Sequence, residues 1–332
     1  MKTSSKMLFF MLSVLSTMMI LSSSNWMNMW VGLEINLMSF IPLMSESKNP
    51  FLSQSSMMYF LVQSLASSMM IMSIMTSKFT FMNVNKDSMN IVILVSMMMK
   101  VGMPPFHLWF PEIMNKMKWN MCFLMSTWQK VGPLYILSKV LENNKINTMI
   151  IAITAMIGAI HGLNQTSARK IISYSSINHI SWLLMLMMTS KEFWAMYMML
   201  YMLLMSITCM MMYKFNIIFI NQMKTFSTKI LDKILVVVMM MSMGGMPPFL
   251  GFLPKIMTMK TMINLNEMFI MLIMVISTIM TLSYYLKISE SMNLILSNSQ
   301  KWMKFPKSSM NMFMFMMSAN IMFPTGMLLI FF

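Results

Sequence analysis

The sequence predicts an all-α membrane protein: a bundle of about 11 transmembrane helices, two of them broken, built from two inverted repeats. Three observations predict it. Of 332 residues, 58% are hydrophobic and only 10% charged, with a mean hydropathy of +0.68. Water-soluble domains carry about 25% charged residues. Apolar stretches of the roughly 20 residues a spanning helix needs follow one another almost end to end. Finally, Gly102-Met103-Pro104-Pro105-Phe106 returns 143 residues later as Gly245-Met246-Pro247-Pro248-Phe249. The apolar runs are continuous rather than alternating, which argues against a porin-like barrel.

Taken in order, the predicted spans are roughly 5–23, 26–45, 57–77, 88–110, 121–140, 147–165, 170–189, 194–219, 230–259, 267–288 and 310–331. The first resembles a signal peptide, with Lys2 and Lys6 before an apolar run. It lacks a small-residue cleavage site and is read as a retained span. Loops are short, with no Gly/Ser linker, so 1–332 is a single transmembrane domain with inverted repeats at roughly 57–189 and 194–331. The fourth and ninth spans hold the two Pro-Pro copies, and that odd offset of five spans reverses their direction. Proline removes a backbone donor and clashes with the preceding turn. Broken backbone inside a membrane is tolerated only where it lines a polar cavity or is buried in protein. Interrupted helices at matching positions of two halves point to a transport site; a pair of plain kinks is the alternative.

Lysine and arginine set the orientation. With eleven spans, fifteen of the 24 basic residues fall on the N-terminal side and six on the other, the remaining three being mid-span. The N-terminus is therefore expected on the cytoplasm-equivalent side. This topology also accounts for the net charge of +15 better than nucleic acid does, so no nucleic-acid partner is expected. The 60 methionines are spread along every segment and read as packing and lipid-facing residues rather than a binding groove. With one arginine, and with Met, Ile, Phe, Lys and Asn plentiful, the composition resembles that of an AT-rich genome such as an organelle's. Cys122 and Cys209 stand apart, without CxxC spacing, and suggest neither a disulfide nor a metal centre.

Glu34, Lys100, Lys130 and Lys255 each lie within a long apolar segment. A charge at mid-membrane costs at least about 2.5–3.5 kcal/mol, so each is a candidate functional residue. At about 1.5 Å per residue, Glu34 and Lys130 reach roughly 12 and 14 Å into their spans. Lys100 precedes one Pro-Pro break and Lys255 follows the other. A lysine beside a carboxylate whose distance or hydration changes is a proton-loading site, and a row of them joined by water is a lateral proton wire. Lysine suits this where arginine does not, because arginine does not deprotonate. One mid-span lysine can snorkel to the interface; three together, and a short-stemmed Glu, do so poorly. His179 lies on a polar stripe with Ser173 and Tyr174, as a proton relay or as a hydrogen-bonded core residue. His107 and His161 read as structural. No HExxH, GxSxG, P-loop or GxGxxG pattern occurs.

Several stretches carry a family likeness: Trp30-Val31-Gly32-Leu33-Glu34-Ile35-Asn36, Lys100 through Glu112, Thr127-Trp128-Gln129-Lys130, Gly162 through Thr166, Tyr174 through His179, and Gly244 through Lys255. Together they resemble the chain 2 family of mitochondrial NADH:ubiquinone oxidoreductase (respiratory complex I), an antiporter-like membrane subunit. The resemblance implies proton translocation across the inner mitochondrial membrane, coupled to NADH oxidation and ubiquinone reduction in other subunits. It implies no cofactor in this chain, with NADH, FMN, Fe–S clusters and ubiquinone bound elsewhere in the complex. Partners would be other membrane subunits and lipids such as cardiolipin, with the N-terminus on the matrix side. By the same likeness Glu34 is the modulating acid, Lys100 its partner, Lys130 the central lysine and Lys255 the lysine of the second broken helix, and His179 matches a histidine found in the family's Tyr-Ser-Ser motif. Eleven spans fit the animal mitochondrial form. His161 stands where a glycine is usual and receives no role. The alternatives are a stand-alone cation/proton antiporter, which would work without a redox partner, and a structural spacer indifferent to neutralisation of the four charges.

Overall fold

The computed structural model describes residues 3–45, 49–79, 86–191, 193–225, 230–299 and Asn320. They form fourteen helices: α1 (Thr3–Ser22), α2 (Trp26–Met44), α3 (Pro50–Phe79), α4 (Lys86–Val101), α5 (Trp109–Lys116), α6 (Trp119–Ser126), α7 (Trp128–Val140), α8 (Lys145–Leu163), α9 (Ala168–Thr189), α10 (Phe193–Lys214), α11 (Ile220–Thr225), α12 (Ile230–Gly244), α13 (Phe252–Asn264) and α14 (Met268–Ser299). No strand occurs among the described residues; a lone bridge joins Ser167 to Phe219. The eleventh predicted span, 310–331, lies outside the described residues except for Asn320.

Helices dominate because apolar surroundings leave backbone groups no partner but their own turn. The numerous serines and threonines follow the same logic. Ser13, Ser16, Thr17, Ser96 and Ser277 each donate to the carbonyl three residues back, at 2.7–2.8 Å, so their hydroxyls need no outside partner. Six helices, α1, α3, α8, α9, α10 and α14, are individually long and apolar enough to cross a membrane. α4 and α12 are shorter, because each ends at a Pro-Pro break.

The chain divides into two compact units, 1–147 and 148–332. In the first, α1 packs on α2 at Gly32, where a Cβ would meet Ile20 Cγ1 at 2.6 Å and Ser16 O at 3.2 Å. Small residues permit such close approach between membrane helices. α7 is the centre of this unit, touching α1, α2, α4 and α6. In the second unit the centre is α9, touched by α10, α13 and α14. Of its membrane-crossing stretch 94% is buried, against 22% for α1. A helix so enclosed can carry polar residues that lipid would not tolerate, and α9 buries Ser173, Ser175, Ser176, Asn178, His179 and Ser181.

Two predicted spans break where expected. The segment 88–110 stops at Val101 and resumes at Trp109; the segment 230–259 stops at Gly244 and resumes at Phe252. A third discontinuity was not foreseen. The span predicted at 121–140 is split at Thr127, whose backbone sits at φ −117°, ψ −74° between α6 and α7. The carbonyl of Phe123 there accepts from the Ser126 hydroxyl, the Thr127 hydroxyl and the Thr127 amide. Side chains that bond back onto the preceding turn bend helices.

Candidate functional site

The pentapeptide is a helix stop at both places, by the same chemistry. Gly102 and Gly245 adopt φ of +78° and +79°, a conformation that suits glycine. The next amide then reaches back: Met103 N donates to Met98 O, and Met246 N to Met241 O, at 3.0 and 3.3 Å. This is the six-to-one bond of a glycine-terminated helix. Both resuming helices start seven residues after that glycine, at Trp109 and Phe252.

The prolines decide what happens next. In an unbroken helix the carbonyl of residue i accepts from the amide of residue i+4. Pro104 and Pro105 therefore strip Lys100 O and Val101 O of their donors, and Pro247 and Pro248 strip Met243 O and Gly244 O. A buried carbonyl left unpaired costs several kcal/mol in an apolar interior. Side chains take over. Gln63 Nε2 donates to Lys100 O at 3.1 Å. His179 Nε2 lies 3.2 Å from Met243 O, and Lys255 Nζ donates to Gly244 O at 2.7 Å. The lysine also meets the carbonyl end of α12, where the helix dipole favours a cation.

In the first unit, Lys100 and Lys130 line one small cavity of about 20 Å³. Both are buried, at 6% and 3% exposure. Lys130 Nζ sits 4.6 Å from the centroid of the Phe110 ring, a cation–π contact. The lining carries further polar groups: Tyr59 donates to Gln129 Oε1 at 3.3 Å, and Gln129 Nε2 to Asn36 Oδ1 at 3.1 Å. Glu34, two residues from Asn36 on α2, is half-buried. Gln63, Tyr59, Gln129 and Asn36 had no assigned part in the sequence reading. Their signal was present: a carboxamide or a phenol hydroxyl inside an apolar span must find a partner.

In the second unit, Lys255 and His179 share a smaller cavity, of about 10 Å³, with Ser175, Asn178, Trp182, Met243, Thr281 and Tyr285. Lys255 is 4% exposed and stands one turn into α13. Gly251 permits this, since a Cβ there would run into the Ser242 carbonyl of α12. Pro104, Pro105, Pro247 and Pro248 all lie in the two breaks. His107 is buried in the first break; His161 is exposed at the end of α8, stacked on Tyr174 with centroids 5.8 Å apart. Among the described residues, no three His, Cys, Asp or Glu side chains gather as metal ligands would.

Five candidate residues thus fall into two sets, Glu34, Lys100 and Lys130 in one unit and His179 and Lys255 in the other. Lys100 and Lys130 line one cavity, with Glu34 outside its lining, and His179 and Lys255 line the other, each cavity beside a broken helix. Such a set can hold a proton, exchange it with confined water, and sense the backbone next to it.

The chain as a whole is similar to known proteins. Residues 23–281 match the family described as NADH:quinone oxidoreductase/Mrp antiporter, TM. The chain is 37% identical to NADH-ubiquinone oxidoreductase chain 2 of Locusta migratoria, covering 90% of this chain and 89% of that one. It is 38% identical to the same protein of Aedes aegypti, covering 99% and 98%. Among solved structures it is similar in fold to a chain of respiratory complex I from Thermus thermophilus with bound aureothin. That match has a TM-score of 0.78 at 18% identity and covers 87% of this chain and 70% of that one. The chain belongs to the NADH-ubiquinone oxidoreductase chain 2 family.

Proposed function

We propose that this chain moves protons through Glu34, Lys100, Lys130, His179 and Lys255. It is a membrane subunit of the mitochondrial NADH:ubiquinone oxidoreductase complex, and its proton translocation is coupled to NADH oxidation and ubiquinone reduction carried out by other subunits. The observation that carries the residue assignment is the capping of proline-freed carbonyls by titratable side chains. Lys255 holds Gly244 O and His179 faces Met243 O. An ammonium binds that carbonyl more firmly than a neutral amine does, because charge-assisted hydrogen bonds are stronger. Loss of the Lys255 proton therefore loosens the second break, and regain closes it. In the first unit Glu34 modulates Lys100, and Lys130 is the central carrier.

The same reading keeps 57–189 and 194–331 as inverted repeats, the N-terminus on the matrix side, and lipids such as cardiolipin against the apolar exterior. Exposed Met7, Leu8, Met11 and Leu15 on one helix supply such a surface. The test is Lys130→Met in the assembled complex. It should lower proton-coupled quinone reduction tenfold or more and leave NADH–ferricyanide reduction intact. Unchanged coupled turnover would remove Lys130 from the path. A stand-alone antiporter would instead exchange cations for protons as an isolated chain in vesicles.

A further inference from the structure

His179 is held at both ring nitrogens. Nε2 lies 3.2 Å from the Met243 carbonyl and Nδ1 2.9 Å from the Tyr197 hydroxyl. A carbonyl only accepts, so Nε2 must carry a hydrogen. In the neutral ring Nδ1 is then the acceptor, and Tyr197 donates to it. A proton added at Nδ1 reverses this contact: Nδ1–H donates, the phenol oxygen accepts, and the phenol keeps its own hydrogen. The one hydroxyl fits both charge states without a heavy atom moving, and in both states the ring stays on Met243.

We infer that Tyr197 is a positioning residue of the proton path: it fixes the tautomer and the placement of His179, so that the ring can gain and lose a proton while capping the break. The inference rests on the reading of His179 as a proton carrier. Tyr197 is fully buried on α10. Among the described residues, the ionisable groups around the imidazole include Tyr197 and Tyr201 of α10, Lys255 of α13 and Tyr285 of α14. Tyr201 differs in kind. Its ring lies against the imidazole at 5.1 Å between centroids, a packing contact. A buried phenol also needs a partner for its own sake. On that simpler account, removing the Tyr197 hydroxyl would lower stability and leave proton exchange at His179 unchanged.

The test compares Tyr197→Phe, His179→Asn and the double variant in the assembled complex. It measures proton-coupled quinone reduction against pH beside NADH–ferricyanide reduction. Tyr197→Phe should displace the pH profile and lower coupled turnover about three- to tenfold, the range that losing one hydrogen bond implies. The double variant should fall no further than His179→Asn alone, because Tyr197 acts through the ring. A wild-type profile in Tyr197→Phe, or losses that multiply, overturns the positioning role. Wild-type coupled turnover in His179→Asn overturns instead the reading of His179 beneath it. Tyr197→Met, also without a hydroxyl, answers the same question if the Phe variant does not assemble.

Discussion

The two helix breaks share a pentapeptide, a glycine conformation and a return hydrogen bond, yet they differ in what closes them. In the first, the Lys100 carbonyl is held by the amide of Gln63, which does not titrate. In the second, the two freed carbonyls face His179 and Lys255, which do. On the proposed reading, the same backbone device is a fixed strut beside the Lys100–Lys130 cavity and a proton-sensitive clasp beside the Lys255–His179 cavity. Repeating the break leaves its chemistry to the side chains that reach it from neighbouring helices.

The sharpest way to break this comparison is Lys255→Met. It removes the amine and leaves Gly244 O without its donor, so coupled turnover should fall tenfold or more while NADH–ferricyanide reduction persists. Coupled turnover above half of wild type would leave the clasp without a role.

The paired glycines give an intermediate effect that separates the two breaks. Alanine at either position forces a side chain into left-handed backbone, at about 1–2 kcal/mol. At Gly102 the new Cβ would press on Phe110 Cβ at 3.1 Å, which is packed core. At Gly245 it would meet the Lys255 amine itself at 2.7 Å. Gly102→Ala is therefore expected to lower the thermal stability of the complex more than its turnover, and Gly245→Ala the reverse. Equal profiles in the two assays would mean that the breaks are equivalent.

The smallest effect belongs to the strut. Gln63→Leu leaves Lys100 O unpaired at about 1–3 kcal/mol, read as a lower unfolding temperature. Coupled turnover should stay within about twofold of wild type. A loss as large as that of Lys255→Met would place Gln63 in the proton path.

Much of this was legible in the sequence, for a physical reason. Paired prolines and lone charges inside apolar runs are costly, so they stand out without an alignment. The positions of both breaks and the burial of Lys100, Lys130 and Lys255 followed from that cost alone. What stayed hidden depends on three-dimensional neighbours. Thr127 breaks its span without glycine or proline at the break, through hydroxyls converging on one carbonyl. Gln63 lies 37 residues from the carbonyl it caps, and Gln129 lies 93 from Asn36. Tyr197 looks like any tyrosine in an apolar helix until its hydroxyl is found on His179. Glu34 was read as deep in its span. In this chain by itself it is only half-buried, since depth along a helix says nothing about which way a side chain faces.

The most direct test is a density map of the assembled complex at rest and during turnover. The account predicts that Lys255 Nζ separates from Gly244 O beyond hydrogen-bonding distance in a turnover state, while Gln63 keeps its hold on Lys100 O. Two breaks that open together, or a Lys255 contact that stays closed throughout turnover, would contradict it.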